Sequence, residues 1–287
     1  PIATKVLMKI LYGASMARHD LLRATKALAQ NITEWTPLCD RKLHRLVSYI
    51  QCTLKVRMVG WVGDDLKDVE LGIYSDADFA GDQKASRSTS GISLKAEGPN
   101  TCFPLCGISK KQTAVSHSTP ESEIIAAEAA LRLTGLPTMT LLDTVLDRKV
   151  KCNFYEDNQA AILILEHGGS PALRHVGRTH KVDMAWLYER FQEDHVKLVY
   201  IESANQCADI YTKHFTDRLK WYQSVVSRPE HHELYIAGLH GHFPFEAQRP
   251  LDHASANSHP WVLQLQTDLR AAQVLEDYTD ILLVMLD

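Results

Sequence analysis

Over the first 58 or so residues, apolar positions recur every three or four residues. After that the period changes. "KVLMKILYGAS" and "HDLLRATKALAQNI" read as amphipathic helices, and "PLCDRKLHRLVSYIQCTL" continues the pattern with Leu43, Leu46, Val47 and Ile50. From residue 70 onward "VELGIYSDADFAG", "STSGISLKAEG" and "TCFPLCGISKKQT" read as three strands. The Gly- and Ser-bearing junctions between them suit an antiparallel meander. "TPESEIIAAEAALRLTGL" predicts a helix with Thr119 as its cap and Pro120 at its first position. "KCNFYED" is a short strand feeding "NQAAILILEHGG", a helix closed by glycines. "THKVDMAWLYERFQED" reads as a helix, "HVKLVYIES" as a strand, and "NQCADIYTKHF" as a final helix. The sum is a mixed α/β layout of about 145 residues.

Past residue 217 the periodicity fades. "RPEHHELYIAGLHGHFPFEAQRPLDHASANSHP" is rich in His and Pro, but its histidines have no ligand spacing supported by cysteine or carboxylate. A poorly ordered extension is expected there. The closing "WVLQLQTDLRAAQVLEDYTDILLVMLD" can form an amphipathic helix without evident chemistry.

The 287 residues suffice for one generous domain or two small ones, and 45% hydrophobic with 23% charged residues is ordinary globular composition. A net charge of −4 gives no global basic field, so any nucleic-acid binding must use a local patch. Six cysteines without a CxxC pair argue against a zinc ribbon or a disulfide scaffold. They favour a reducing compartment, so an intracellular protein of cytoplasm or nucleus is expected. No apolar run approaches the roughly 20 residues that span a bilayer, and no stretch reads as a signal peptide. No membrane partner is expected. Because the chain opens on Pro1 rather than Met, a piece of a longer polypeptide is expected.

Four acids fall at suggestive places: Asp76 in the first strand, Glu123 early in the helix after the meander, Asp157 at the end of the fourth strand, and Asp209 on the last helix. Four carboxylates converging from different elements would repel one another severely in a low-dielectric site. Divalent cations remove that difficulty, and Mg²⁺ takes oxygen ligands while keeping water. Each acid also has an ordinary structural explanation. Asp76 and Asp78 can be solvated strand-end charges, and Glu123, like Glu121, can be a first-turn acid favoured by the helix dipole. Asp157 can cap the next helix, and Asp209 can pair with Lys213 at i, i+4. Spacing alone does not decide between these.

The blocks themselves do. "YSDADFAGDQKASRSTSG", "GISKKQTAVSHSTPESEIIAAEAA", "YEDNQAAI", "RTHKVDMAWLYERF" and "VKLVYIESANQCADIYTKHF" resemble, in order, the ribonuclease H domain of copia-type retrotransposon polyproteins. "ILYGASMARHDLL" resembles the end of the neighbouring reverse transcriptase, with His19 where that family often has proline. The resemblance implies an α/β fold, a ribonuclease H-like mixed five-stranded sheet flanked by helices and preceded by a short helical segment. It divides the chain into residues 1–60, a thumb- or connection-like remnant of reverse transcriptase; 68–216, the ribonuclease H-like domain; and 217–287, a poorly defined extension.

The resemblance carries the family's four metal-binding acids onto Asp76, Glu123, Asp157 and Asp209. Asp78 is held as a nearby acid. Glu121 is the rival for Glu123, but the family's helix acid directly precedes the apolar run, and residues two apart face nearly opposite sides of a helix. The implied reaction is hydrolysis of the RNA strand of an RNA·DNA hybrid with two Mg²⁺ or Mn²⁺ ions. Ser75, Ser116 and Asn158 are candidate substrate contacts, and Lys110 and Lys111, with Arg174, Arg178 and Lys181, are candidate phosphate contacts. The partners implied are the hybrid and the reverse transcriptase portion of the same polyprotein. The family's cellular relatives often carry a histidine in the loop before the last acid. "YIESANQCAD" has none, and His180 and His214 are only nearby.

Other classes fit less well. Integrases and transposases use Asp, Asp, Glu in that order, whereas the order here is Asp, Glu, Asp, Asp. No polymerase palm motif is present, and "VGDD" at 62–65 reads as a turn. An inactive remnant that binds nucleic acid or serves only as structure is the remaining alternative.

Overall fold

Five strands carry the structure, a computed structural model that describes residues 2–217 apart from 57 and 83, together with 220, 221 and 224. They are β1 (Glu70–Asp78), β2 (Thr89–Gly98), β3 (Thr101–Lys111), β4 (Cys152–Glu156) and β5 (Val196–Tyr200). Their order is β3-β2-β1-β4-β5, with β1–β2 and β2–β3 antiparallel and β1–β4 and β4–β5 parallel. Hairpins suffice for the antiparallel half, while each parallel step needs a crossover, which the helices supply. The result is the ribonuclease H-like mixed α/β sheet.

Side chains alternate across the sheet and define two cores. Leu71, Ile73, Ile92, Leu94, Cys152 and Phe154 face α4 (Thr119–Ala130), α5 (Leu136–Leu146), α6 (Gln159–Glu166) and α8 (Met184–Phe191). Phe154 is fully buried with its ring edge on Phe191, and truncating it to Ala is expected to cost about 3–5 kcal/mol. The other face receives α1 (Ile2–Met16), α2 (Leu22–Ala29) and α3 (Pro37–Cys52). Their Leu7, Ile10, Leu22, Leu46 and Ile50, with Leu21 just before α2, pack with Tyr74, Cys207, Ile210 and Tyr211. The N-terminal helices thus complete the sandwich.

That second cover explains β2, buried along nearly its whole length. Its outward alternation would send Lys95 and Glu97 to solvent, yet both are buried. Tyr74 and Tyr155, stacked at 4.4 Å, donate their hydroxyls to Glu97 at 2.9 and 2.7 Å. Lys95 donates to Cys207 Sγ and lies over the Tyr74 ring. Buried charge persists only with such partners.

Several elements differ from the sequence reading. The cap of α4 is Ser118, whose hydroxyl accepts from Glu121 N; Thr119 is already helical. The helix does not stop near Gly135. It passes through a π-turn at Leu131–Gly135 into α5, because Pro137 removes a backbone donor and the wider turn absorbs the mismatch. In "THKVDMAWLYERFQED" Thr179 ends a preceding short helix, and the main helix begins only at Met184, after Asp183 caps it and Lys181 adopts a left-handed conformation (φ 63°). The expected last helix is instead two short 3₁₀ turns, Ser203–Asn205 and Cys207–Tyr211. "VGDD" is tied to the β2–β3 hairpin, where Asp64 accepts from Asn100 N and Nδ2. The predicted extension beyond 217 falls outside the described residues, save for 220, 221 and 224. Among described residues no helix is long and apolar enough to cross a membrane, and none of the six cysteines forms a disulfide.

Candidate active site

Asp76 is the seventh residue of β1, two positions before the strand ends, and its cross-strand partner is Gly91. That glycine has a steric reason. A Cβ there would stand 2.6 Å from Thr212 Cγ2 and 2.8 Å from Ala208 O, so only glycine lets the Cys207–Tyr211 turn lie on the sheet. Ser109 holds the same turn, donating to Tyr211 O at 2.6 Å. The turn brings Asp209 and Thr212 over β1, and Thr212 donates its hydroxyl to Asp76 Oδ2.

Glu123 comes from the first turns of α4, and Asp157 from the step between β4 and α6. Oxygens of Asp76, Glu123 and Asp157 lie within 4.8 Å of one another. Asp157 accepts from Ser203 Oγ at 2.6 Å, so Asn158, not Asp157, caps α6. Glu123 Oε2 is buried with no hydrogen-bond partner among the described residues. Asp209 stands outside this trio, its Oδ1 2.7 Å from Lys213 Nζ, which also lies 3.7 Å from Asp76 Oδ1. Asp78 is 3.7 Å from Arg23 of α2.

A fifth acid belongs to the group. Glu156 is completely buried, accepting from Ser75 Oγ at 3.2 Å and from Asn158 N at 3.1 Å. The alternation of β4 sends Cys152, Phe154 and Glu156 inward together. An acid on that inward register was the available signal, and the reading of "YED" as an acid at Asp157 alone missed it.

Burial dominates the electrostatics. It raises the pKa of Glu123, and neighbouring Glu156, Asp76 and Asp157 raise it further. Burial likewise pushes Glu156 up to about 8 and Asp209 up to about 7. Asp76 is also shifted upward by burial, against the opposing pull of Lys213 and Thr212. Lys213 is shifted upward, because Asp76 and Asp209 more than offset its own burial. All-oxygen donors, net negative charge and an orphaned carboxylate oxygen are what a hard divalent cation requires. The residues present fit one.

The polar residues read as substrate contacts divide. Ser75 is used by Glu156, the buried Ser116 donates to Gln112 Oε1 at 3.0 Å, and Asn158 accepts from Ala161 N at 3.0 Å. Lys111 pairs with Asp82, while Lys110 is exposed. Arg174, Arg178 and Lys181 are exposed on the stretch between α6 and α8. Of the two nearby histidines, His214 Nε2 sits 3.0 Å from Arg23 Nη2, and the His180 side chain is buried beside Glu121. Glu121 is no solvated first-turn acid: it is 1% exposed.

No protein-family model matches the chain. Secreted RxLR effector protein 161 of Plasmopara viticola is 34% identical over 121 residues, covering 42% of this chain and 80% of that protein. Among solved structures, LC11-RNase H1 from compost aligns at 15% identity and TM-score 0.34, over 50% of this chain and 92% of that one. The N-terminal ribonuclease H domain of a Mycobacterium tuberculosis protein aligns at 12% and 0.32, over 50% and 91%. The foamy viral protease-reverse transcriptase, solved with an RNA/DNA hybrid, aligns at 11% and 0.38, over 70% of this chain and 25% of that one. With scores this low, the strand order and register remain the ground for the fold.

Proposed function

The chain belongs to the same family as the Plasmopara viticola protein, and we propose that its own activity is metal-dependent hydrolysis of the RNA strand of RNA·DNA hybrids. We read it as the ribonuclease H part of a copia-type retrotransposon Pol polyprotein, on the ordered block resemblance. The observation that carries the activity is the convergence of Asp76, Glu123 and Asp157 oxygens within 4.8 Å, with Glu123 Oε2 buried and unpartnered among the described residues.

Glu123 and Asp157 would hold one Mg²⁺ or Mn²⁺ with Asp76, and Asp209 would share a second with Asp76. Such ions activate water for in-line attack on phosphorus and stabilise the departing 3′-oxygen. The protein's own groups prepare this. Thr212 fixes the Asp76 carboxylate and Ser203 fixes that of Asp157. Lys213, 41% exposed at its side chain, neutralises Asp209 and can swing outward to a phosphate when a cation takes its place. Strand choice would rest on 2′-hydroxyl contacts, which distinguish RNA from DNA. Exposed Lys110, Arg174 and Arg178 would add salt-sensitive backbone contacts.

One observation favours a non-catalytic reading: Lys213 already supplies a positive charge where Asp209 would bind metal. Cleavage of a labelled hybrid by the purified chain, beside Asp76→Asn, separates the two. Mg²⁺- or Mn²⁺-dependent cutting of the RNA strand, reduced at least about 100-fold in the variant, is expected. A folded protein that binds hybrid without cutting it would leave the binding module.

A further inference from the structure

Two residues before Glu123, and on the opposite side of the same helix, lies a second buried cluster with no part in the chemistry above. Glu121 Oε2 accepts from His117 N at 2.9 Å, while Glu121 N donates to Ser118 Oγ at 3.3 Å. This reciprocal pattern ties the first turn of α4 to the loop after β3. The other carboxylate oxygen, Oε1, lies 3.1 Å from His175 Nε2 and 3.3 Å from His180 Nε2. Both histidines come from the stretch around α7 (Val176–Thr179), about 55 residues further along the chain. His117 packs edge-on against His175 with ring centroids 5.2 Å apart. The His180 side chain is 1% exposed, and neither of its ring nitrogens has hydrogen-bond geometry to any described residue, so its 3.3 Å approach to Glu121 is a close polar contact. Its one ion-pair contact among them is with Glu121.

We propose that Glu121, His175 and His180 are positioning residues: a carboxylate held between two imidazoles that sets the rotation of α4 and so the reach of Glu123. The inference rests on the proposed activity for its meaning, though not for its test. Glu123 needs such help because Asp76 and Asp157 are each oriented by a hydroxyl, whereas its Oε2 has no partner among the described residues. Its placement is inherited from the helix. A side-chain tip lies about 6 Å from a helix axis, so a rotation of about 10° moves it by about 1 Å. A displacement of that size can cost about 100-fold in rate. The same clamp anchors the stretch carrying Arg174, Arg178 and Lys181, and so couples a basic surface to the helix that bears a metal-site acid.

The test uses the full chain with His180→Ala, His180→Gln and His175→Ala. Mn²⁺ affinity is read from the electron paramagnetic resonance of the free ion, and hybrid cleavage is resolved into kcat and KM. His180→Ala is expected to weaken Mn²⁺ binding about tenfold or more and to lower kcat, with KM for the hybrid unchanged. Gln, whose amide can reach Glu121, should restore most of the loss. His175→Ala, at the more exposed end of the clamp, should fold readily and shift both readouts in the same direction by less. Folded Ala variants with wild-type Mn²⁺ affinity would overturn the proposal, as would a Gln variant no better than Ala. If the wild type binds Mn²⁺ but cuts no hybrid, the nuclease reading fails while the Mn²⁺ series still decides the clamp.

Discussion

Two clusters of buried charge in this molecule have opposite constitutions. Among the N-terminal helices, Arg18 forks onto both Asp20 oxygens at 2.9 and 2.8 Å, and Tyr49 OH adds a third bond to the carboxylate. The remaining guanidinium donors reach Thr53 O and Oγ1 at 3.0 and 2.9 Å. Burial works to lower the Arg18 pKa, but Asp20 and Tyr49 more than offset it. Near the carboxyl ends of β1 and β4, Asp76, Glu123, Glu156, Asp157 and Asp209 come together, and among the described residues the Lys213 ammonium pairs with Asp76 and Asp209. The first cluster is finished; among the described residues the second has more acids than cations. Charge that folding has already satisfied belongs to the structure, and charge left unsatisfied marks where a ligand enters.

The largest effect should come from unbalancing the finished cluster. Arg18→Met leaves the buried Asp20 with Tyr49 OH as its remaining side-chain hydrogen-bond donor among the described residues, and a loss of about 3–5 kcal/mol by urea unfolding is expected. Adding Asp20→Asn should recover part of it. The unfinished cluster should respond with the opposite sign. Without divalent ions at pH 8, Glu156→Gln removes a buried charge and should stabilise the protein by about 1–3 kcal/mol, raising its Tm. A loss of stability instead would mean that Glu156 is compensated after all.

Titration sharpens the contrast. The folded pKa values of Glu156 and Asp209 lie near 8 and 7, above those of an unfolded chain, so between about pH 4.5 and 8 the folded state binds more protons. Metal-free stability should therefore rise as pH falls through that window and be lost again as pH rises. His19, whose pKa burial lowers, opposes this on the acid side, so the informative quantity is the slope of wild type minus Glu156→Gln. Mg²⁺ should flatten the difference. At the small end, Lys181→Gly relieves a left-handed backbone without entering either cluster, and a gain of less than about 1 kcal/mol is expected. A larger change would tie that turn to the His180 clamp.

The part of the fold legible in the sequence was local. All five strands stand where period-two runs and Gly/Ser junctions put them, because pleat and turn chemistry are written within a few residues. Partnership over distance was not legible. Nothing around Lys95 and Glu97 indicates that helices some 40 residues or more upstream cover them. Glu121 looks like any first-turn acid until His175 and His180 arrive from beyond β4. The turn carrying Asp209 has helical composition, but Gly91 and Ser109 hold it to the sheet in a tighter form. Of the site, the trio Asp76, Glu123 and Asp157 sits together, Asp209 is drawn to Lys213, and Glu156 was hidden beside a more conspicuous neighbour.

The bond from Arg23 Nε to Thr212 O, 2.9 Å long, joins residues 189 positions apart. Translation proceeds at about 5–20 residues per second, so Arg23 would leave the ribosome about 10–40 s before its partner. Through that interval Leu21, Leu22 and their neighbours have neither Tyr211 nor Ile210 to cover them. A chain built this way depends on the pace of its own synthesis. Truncations that end before residue 212 should therefore be recognised by chaperones rather than accumulate as smaller folded proteins.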